Sequence, residues 1–260
     1  MKRHGVVNVS SKYGAPQRCA VGIHAVQEYL RVNPTAVIRL YTTSKGEGKR
    51  HQLVEHAAAL GVEVCSRSAD ELARISGVAE HQGVVAVLRE YAYASLDALI
   101  ERRPSLLVAG DGIEDPRNLG ALIRSAAAAG AGGVIIPQDR AAQVTAVVEK
   151  SAAGTTAWFP VCRVVNLART LDLLKRKQGF WIIGLSQLAR ASLFESKVPL
   201  PSVLVVGGET GLRDLVTRSC DMTVRIPMAE GVESLNVAVA AAIVCFELRR
   251  RHIDTSGGGW

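Results

Sequence analysis

The sequence predicts an α/β fold in two parts: a small N-terminal α/β domain and a larger C-terminal domain built on a mostly parallel sheet. Three observations predict it. Strand-like and helix-like segments alternate along the chain, the strands of the second part are apolar throughout, and 260 residues leave room for two cores. Strands that are apolar on both faces are typical of a parallel sheet covered by helices on each side.

The first part begins with a polar segment. Residues 1–18 are basic and lack periodicity, so we expect a flexible arm there. The small α/β domain is predicted over residues 19–90. It contains a helix at 50–60, which ends at Gly61, a residue type that commonly terminates helices. Its predicted strands share an extended, apolar pattern and lie at 37–41, 62–65 and 83–88.

The second part follows a connecting segment at residues 91–104, which we expect to be partly helical, and is predicted to span 105–254. Residues 255–260 are rich in glycine, and we expect a disordered tail there. The predicted strands of this part lie at 106–109, 134–136, 180–183, 203–206 and 222–226, and its predicted helices at 116–129, 141–153, 167–177 and 234–251.

The positive charge is concentrated near the N-terminus. Residues 1–60 carry a net charge of +6, out of +7 for the whole chain. A basic segment with interspersed tyrosines favours a polyanion such as RNA, and the alternative is a solvated basic face kept for solubility. Only 5% of the residues are aromatic, which argues against a protein that binds single strands mainly by stacking.

Several other classes are disfavoured. The five cysteines form no CxxC pair or Cys/His cluster at metal-ligand spacing, so we expect neither a metal site nor a disulfide framework. The longest apolar run, residues 237–246, is half as long as the roughly 20 residues that cross a membrane. The first residues lead into no apolar signal segment. We therefore expect a soluble, cytoplasmic protein.

A first candidate site lies at residues 111–126, DGIEDPRNLGALIRSA. Asp115 followed by Pro116 predicts a helix that begins there, with Asp115 as N-cap. Arg124 stands alone as a charge among the small and apolar residues of this helix. Such an arginine needs a carboxylate or a phosphate as partner, or else it extends from the helix edge into solvent.

A second candidate site follows the strand at 203–206, where residues 207–212 read GGETGL. The glycines permit a sharp turn and the close approach of a ligand. Glu209 stands at the carboxyl end of a parallel strand, the place where such sheets bind ligands. The alternative is that Glu209 caps the following helix.

A third candidate site, IPMAEGVESLN at residues 226–236, leads into the apolar run. Ser234 is a candidate cap for a helix that is apolar on every side, which predicts burial in the core or in an interface. In the alternative interpretation, Ser234 and Asn236 serve only as caps.

Together the three motifs resemble the signature motifs of the SpoU (TrmH) family of RNA ribose 2′-O-methyltransferases. Three further stretches resemble the bacterial branch that methylates a guanosine of 23S ribosomal RNA: VGIHAV at 21–26, HQG at 81–83 and VNLART at 165–170. The resemblance covers nearly the whole chain beyond the N-terminal arm.

This resemblance implies a knotted (trefoil) SPOUT-type catalytic domain, preceded by an RNA-recognition domain. It implies S-adenosylmethionine as cofactor, bound largely through backbone groups, no metal, and a homodimer to which the apolar helix at 237–246 contributes. The implied cofactor-binding residues are Gly207, Ile226 and Leu235, and the implied catalytic residues are Asn118, Arg124, Glu209, Ser234 and Asn236.

Two features bear on the implied chemistry. The family usually reads Gly-x-Glu-Gly-x-Gly in the second motif, whereas Glu209-Thr210-Gly211 is one residue shorter, which affects the cofactor loop. The family account gives the proton of the ribose hydroxyl to the arginine, here Arg124. A guanidinium has a pKa above ~12, so phosphate binding and stabilisation of the developing alkoxide are less costly roles, with Asn118 and Asn236 orienting Arg124 and the ribose.

Other nucleotide-binding fingerprints are broken. Gly110-Asp111-Gly112 continues without the glycine of a dinucleotide-binding turn, and Gly48-Lys49-Arg50 does not fit a phosphate-binding loop. Within the family, the alternatives are a transfer-RNA ribose methyltransferase and a ribosomal-RNA methyltransferase that confers antibiotic resistance. Outside catalysis, the alternative is an RNA-binding protein of the same fold without turnover.

Overall fold

A computed structural model describes residues 18–43 and 48–256. The chain divides into two compact units, Met1–Tyr91 and Ala92–Trp260. None of the described helices combines the length and the apolar character that crossing a membrane requires.

In the described part of the first unit, four strands form a mixed sheet with helices packed on it. The strands are β1 (Arg18–Val21), β2 (Val37–Thr42), β3 (Glu63–Ser66) and β4 (Val84–Leu88), and the helices are α1 (Ile23–Val32), α2 (Lys49–Ala59) and α3 (Ala69–Ser76). The sheet order is β1-β4-β2-β3, with β4 antiparallel to both neighbours and β2 parallel to β3. Tyr29, Leu40 and Leu72 close its core.

The start of this unit differs from the prediction. Most of the predicted arm lies outside the described residues, but its last residue, Arg18, begins β1 and is buried. The Arg18 guanidinium donates hydrogen bonds to the Arg89 carbonyl at 2.9 Å and to the Tyr29 hydroxyl, and it lies over the ring of Tyr91. The arginine can be buried because these tertiary contacts satisfy its donors.

The second unit contains a seven-stranded sheet in which every neighbouring pair is parallel. Its strands are β5 (Leu106–Asp111), β6 (Val134–Pro137), β7 (Val161–Val164), β8 (Trp181–Leu185), β9 (Ala191–Ser192), β10 (Ser202–Gly207) and β11 (Met222–Arg225), in the order β7-β6-β5-β10-β8-β11-β9. Its helices are α4 (Leu96–Glu101), α5 (Pro116–Ala128), α6 (Ala146–Ala152), α7 (Leu167–Gln178), α8 (Asp214–Ser219) and α9 (Val237–Ser256).

The helices cover both faces of this sheet. Apolar residues of α4, α7 and α8, among them Leu99, Leu171 and Val216, share one core cluster with one face of the strands. On the other face α5 packs against both α6 and α9. The predicted α/β fold with a mostly parallel sheet after a smaller α/β domain is confirmed. The trefoil knot stays a prediction.

Three predicted boundaries in the second unit are wrong. The helix predicted from 141 begins at Ala146, and the helix predicted from 234 begins at Val237. That last helix continues through Ser256, so residues 255 and 256 are helical, while 257–260 lie outside the described residues.

The predicted connecting segment, residues 91–104, is largely part of the second unit. It contains α4, whose Leu99 is buried in the core, and Ala94 pairs with Cys162 beside β7. The segment is therefore partly helical, as expected, and is held by tertiary burial.

Candidate active site

The first two sequence motifs meet at the carboxyl edge of the parallel sheet. Strands β5 and β10 are neighbours, and their last residues, Asp111 and Gly207, lie opposite each other. On the other side of β10 lies β8, followed by β11, so the segment after β11 belongs to the same edge. The topology thus brings the starts of all three motifs to one side of the sheet.

The second motif forms a tight turn. The Gly211 N–H donates to the Gly208 carbonyl at 3.0 Å, and Gly211 has a φ of +79°. A Cβ on Gly207 would lie 2.2 Å from the Gly211 carbonyl carbon, and one on Gly208 would lie 2.2 Å from the Gly112 carbonyl oxygen. Both positions therefore require glycine. The motif that is one residue shorter than usual closes as a compact turn with Glu209 exposed at its tip.

Asp111, the last residue of β5, holds this turn at both ends. Its backbone carbonyl accepts a hydrogen bond from Gly208 N–H at 2.9 Å. Its buried carboxylate accepts from the Arg213 backbone N–H at 2.8 Å and from Arg213 Nε at 2.6 Å. The buried charge is thus paired and hydrogen-bonded, as a low-dielectric site demands. The sequence predicts no role for Asp111 or Arg213, although an acidic residue at the carboxyl end of a buried parallel strand is a signal for Asp111.

The first and third motifs are joined by two asparagines. The Asn236 side-chain Nδ2 donates to Asn118 Oδ1 at 2.8 Å. Asn118 lies in the first turn of α5, which Asp115 caps by accepting from Arg117 N–H. The Asn236 Oδ1 accepts from the backbone N–H groups of the first residues of α9, at 3.0 and 3.4 Å. Asn236 is therefore the cap of α9, and it fixes the Asn118 amide at the same time.

This arrangement corrects two interpretations. Ser234 does not cap the last helix, because the helix begins three residues later and Asn236 takes that position. Glu209 does not cap the following helix either, because α8 has Arg213 at its N-cap and no side-chain cap. Both side chains are exposed and make no hydrogen bond with the described residues.

Arg124 lies on the exposed side of α5 and forms no hydrogen bond or ion pair with the described residues. The structure does not place it in contact with Asn118 or Asn236. Arg124 lies six positions after Asn118, which places it roughly 9 Å further along the helix axis and about 120° away around it. Its donors are therefore available for an external anion, in agreement with a substrate-binding role and not with a bracing role inside the fold.

The residues expected to bind the cofactor lie along the same edge. Gly207 ends β10, Ile226 follows β11 and is buried, and Leu235 is half-buried before α9. The ends of β10 and β11 are two strand spacings apart, about 10 Å, which is a suitable span for a nucleoside. Residues 226–236 form neither helix nor strand, so most of their backbone groups lie outside any ladder and can bind a ligand.

The cysteines do not form a nucleophilic or metal site in the described residues. All five are free, and burial raises the pKa of Cys245 to about 12 and the pKa of Cys162 to about 11. Such thiols stay protonated at neutral pH and are poor nucleophiles. Within the described ranges, no cluster of His, Cys, Asp and Glu could hold a metal ion.

Residues 105–246, more than half of the chain, match the SpoU rRNA methylase family. The chain belongs to that family. Residues 19–94 match the substrate-binding domain of RNA 2′-O ribose methyltransferases. The resemblance noted on the three motifs is thereby confirmed, and the candidate site coincides with the SpoU portion of the chain.

Similar proteins of this family extend over almost the same length. The 23S rRNA (guanosine-2′-O-)-methyltransferase RlmB of Coxiella burnetii is 42% identical, with 88% of this chain and 94% of that protein covered. RlmB of Neisseria meningitidis serogroup B is 40% identical, with 92% and 97% covered. The crystal structure of the SpoU methyltransferase AviRb from Streptomyces viridochromogenes in complex with AdoMet is similar, with 27% identity, 96% and 95% coverage and a TM-score of 0.78.

Proposed function

We propose that this protein transfers a methyl group from S-adenosylmethionine to the ribose 2′-hydroxyl of a guanosine in 23S ribosomal RNA. The observation that carries the proposal is the Asn236–Asn118 hydrogen bond, which joins the third motif to the first beside the glycine turn of the second. The names of the RlmB relatives, at about 40% identity over most of the chain, support the substrate, and the AdoMet complex of AviRb supports the cofactor. Ribosomal RNA as substrate implies a cytoplasmic protein.

Gly207, Ile226 and Leu235 would hold the cofactor, with the glycine turn and the backbone of residues 226–236 surrounding it. When bound, S-adenosylmethionine supplies a methyl group on a sulfonium sulfur, which the ribose oxygen would take as the carbon–sulfur bond breaks to a neutral thioether and the hydroxyl proton passes to the target's own phosphate or to solvent. The protein's main task is then to hold the ribose and the cofactor at reactive distance, which is an effect of proximity and orientation.

The two asparagines have different roles in this proposal. The Asn236 side chain is occupied, because its oxygen caps α9 and one of its N–H groups binds Asn118. The Asn118 amide accepts that bond through oxygen and keeps both N–H donors available among the described residues. We therefore assign Asn118 to the substrate, as donor to a ribose or phosphate oxygen, and Asn236 to the positioning of Asn118.

Arg124 binds the phosphate of the target nucleotide and stabilises the charge that develops on the 2′-oxygen. A guanidinium suits this role, because its planar fork donates two parallel hydrogen bonds to a phosphate and it stays charged. Glu209 and Ser234 project from loops at the same edge, where they can contact the substrate. Their exposure leaves the side chains available for it.

We further propose a homodimer that is formed through α9. Val239 and Phe246 are seven positions apart on this helix, on one face, and 50% and 47% of their surfaces are exposed. Large apolar side chains that repeat on one helix face are typical of an interface. Sedimentation at micromolar concentration should give about twice 27.7 kDa. Phe246→Glu should shift it to the monomer, whereas a fully active wild-type monomer would contradict the proposal.

The proposed substrate is tested by mapping 2′-O-methyl groups in RNA from cells with and without the gene. We expect one guanosine of 23S ribosomal RNA to lose its methyl group in the deletion strain and to regain it with purified protein and S-adenosylmethionine. A missing methyl group in transfer RNA would instead indicate the alternative substrate. Binding of cofactor and RNA without any methyl transfer would indicate an RNA-binding protein without turnover.

A further inference from the structure

A continuous groove runs from the carboxyl edge of the second sheet along α7 and α8. Its first part, a cleft of about 380 Å³, is lined by the loops that follow β6 and β7 and by the start of α8. Its second part, of about 460 Å³, continues between α7 and α8. Asn166, Ala168 and Leu215 line both parts, which makes them one groove. We call it the α7–α8 groove.

The groove is basic, and half of its cations are available. Its cationic side chains are Arg140, Arg169, Lys175, Arg176, Arg213 and Arg218, against the acidic Asp139, Asp172 and Asp214. Lys175, Arg176 and Arg213 are already paired with aspartates. By contrast, Arg140, Arg169 and Arg218 are exposed and form no hydrogen bond or ion pair with the described residues.

Apolar side chains lie between these arginines. Leu215, where the two parts of the groove meet, has 69% of its surface exposed, and Val165 at the rim of the first part has 81% exposed. Leu215 in the first turn of α8 and Val165 directly after β7 are mostly exposed, so neither contributes much to the core. Apolar contacts flanked by guanidinium groups suit an unstacked nucleobase with phosphates on either side.

The groove adjoins the active-site edge. Arg213 lines its first part, and the same side chain pairs with Asp111, which lies opposite Gly207 of the glycine turn. Helices α7 and α8 cover the face of the sheet that carries the Leu99 cluster, whereas α9 packs with α5 on the other face. A dimer formed through α9 therefore leaves the α7–α8 groove open.

We propose that the α7–α8 groove binds the single-stranded RNA next to the methylated nucleotide. Arg140, Arg169 and Arg218 bind successive phosphates, and Leu215, assisted by Val165, contacts an unstacked base. The inference rests on the proposed function and extends it, because it assigns part of the RNA recognition to the catalytic unit in addition to the N-terminal unit.

The test uses the full chain and a 23S ribosomal RNA transcript, with binding measured between 50 and 200 mM salt. Four proteins are compared with the wild type: the triple variant R140A/R169A/R218A, Leu215→Ser, the triple variant combined with Leu215→Ser, and Arg102→Ala as matched control. Arg102 is also exposed and without a partner among the described residues, but it follows α4 at the opposite, amino edge of the sheet. Calorimetric titration of S-adenosylmethionine should be unchanged in all of them, which shows that they are folded.

Loss of three phosphate contacts on single-stranded RNA should reduce the slope of log K against log salt by about 2, or 0.7 for each contact. When the salt rises from 50 to 200 mM, the affinity of the triple variant should therefore fall by a factor about 20 times smaller than that of the wild type. The affinity of the triple variant at 50 mM salt should already be lower than that of the wild type. Leu215→Ser should weaken binding at every salt concentration without changing the slope, because it removes no charge. Arg102→Ala should bind as the wild type does.

An unchanged slope in the triple variant would overturn the phosphate contacts, and unchanged affinity in Leu215→Ser would overturn the base contact. An equal change in Arg102→Ala would show a general charge effect and overturn the site. Because binding is measured without methyl transfer, the two proposals can fail separately. A wild-type protein that binds but does not methylate contradicts the proposed function alone, and variants that bind normally while the wild type methylates contradict the groove alone.

Discussion

The two units use their arginines differently. In the first unit, every arginine that the structure describes donates a hydrogen bond to another protein group; these are Arg18, Arg31, Arg39, Arg50, Arg67, Arg74 and Arg89. In the second unit, several exposed arginines have no such partner among the described residues, including Arg124, Arg140, Arg169 and Arg218.

On the groove proposal, formal charge alone does not locate the phosphate-binding surface. Residues 1–60 carry +6 of the net charge, yet their described arginines support the fold: Arg39, for example, pairs with Glu63 and lies beside Tyr41. The second unit carries a net charge of +3, against +4 for the first, and it keeps free guanidinium groups along the α7–α8 groove. Donors that the fold leaves available, more than net charge, decide where a phosphate can bind.

The largest effect is expected at Arg124, an arginine of the second unit without a partner among the described residues. Arg124→Ala and Arg124→Lys should both nearly abolish methyl transfer, by roughly 30- to 1000-fold, because a charged hydrogen bond in a site closed by RNA is worth about 2–4 kcal/mol. Cofactor affinity should stay close to that of the wild type. The measurement is single-turnover methylation at saturating cofactor, with calorimetric titration beside it.

Lysine keeps the charge of Arg124 but not its planar fork. Near-normal turnover in Arg124→Lys would therefore reduce the requirement to charge alone. Near-normal turnover in Arg124→Ala would remove the catalytic assignment.

Two truncations test where the boundary between the units lies. Deletion of residues 1–91 should leave a folded second unit that binds S-adenosylmethionine but has lower RNA affinity. Deletion of residues 1–104 also removes α4 and the buried Leu99, which should cost about 2–5 kcal/mol of unfolding free energy. Chemical denaturation compares them directly. Equal stability of the two would place residues 92–104 in a linker after all.

The Asp111–Arg213 pair tests an arginine of the second unit that supports the fold. Asp111→Asn keeps an acceptor for the Arg213 backbone N–H but loses the charge that pairs with its guanidinium. We expect a loss of about 1–3 kcal/mol in stability and weaker cofactor binding, because the glycine turn loses its support. Asp214→Asn is the control, since Asp214 is the next residue after Arg213 and has no partner among the described residues. The same change in both variants would refute the role of Asp111.

The smallest effect concerns Glu247 on α9. Hydrogen bonds from Arg250 and Arg251 lower the pKa of Glu247 to about 2. A carboxyl pKa that is lower in the folded than in the unfolded protein adds stability above the unfolded pKa of about 4.3, and this contribution is lost as the pH falls toward 2. Glu247→Gln should therefore cost about 1 kcal/mol near pH 7 and nothing near pH 2.

Denaturation curves at several pH values measure this difference. Glu233→Gln, at an exposed residue without a partner among those described, should match the wild type throughout. If the cost of Glu247→Gln were the same at pH 2 and pH 7, packing and not charge would explain it.

Local patterns in the sequence account for much of the fold. Five strands of the second sheet and the helix that begins at Pro116 are present as predicted, because buried parallel strands and N-caps leave strong local signals. The sequence predicts neither β7 nor the two-residue β9. The missed helix α3 had such a signal in its capping box, in which Ser68 and Glu71 bind each other's backbone N–H. Helix α4 also has a local signal, because Ser95 caps it by accepting from the Ala98 N–H. The burial of Arg18 could not be predicted from local patterns, because it depends on contacts with distant tyrosines.

For the candidate site, the sequence predicts which motifs lie together better than it predicts the hydrogen bonds between their side chains. The three motifs are at one edge of the sheet as the alternation of strands and helices indicates, and Asn118 does meet Asn236. The sequence could not predict that Asn236 and not Ser234 caps α9, because both residues are good caps and tertiary packing decides where the helix starts. The same holds for the Asp111–Arg213 pair, whose partners are far apart in the chain.

The support of the glycine turn by Asp111 has a consequence for how the protein is made. The Asp111–Arg213 bonds span 102 positions of the chain. During synthesis, a chain that has passed β5 must wait for about a hundred further residues before this contact can form, and contacts of such separation form slowly. The glycine turn is therefore among the later parts of the second unit to be completed.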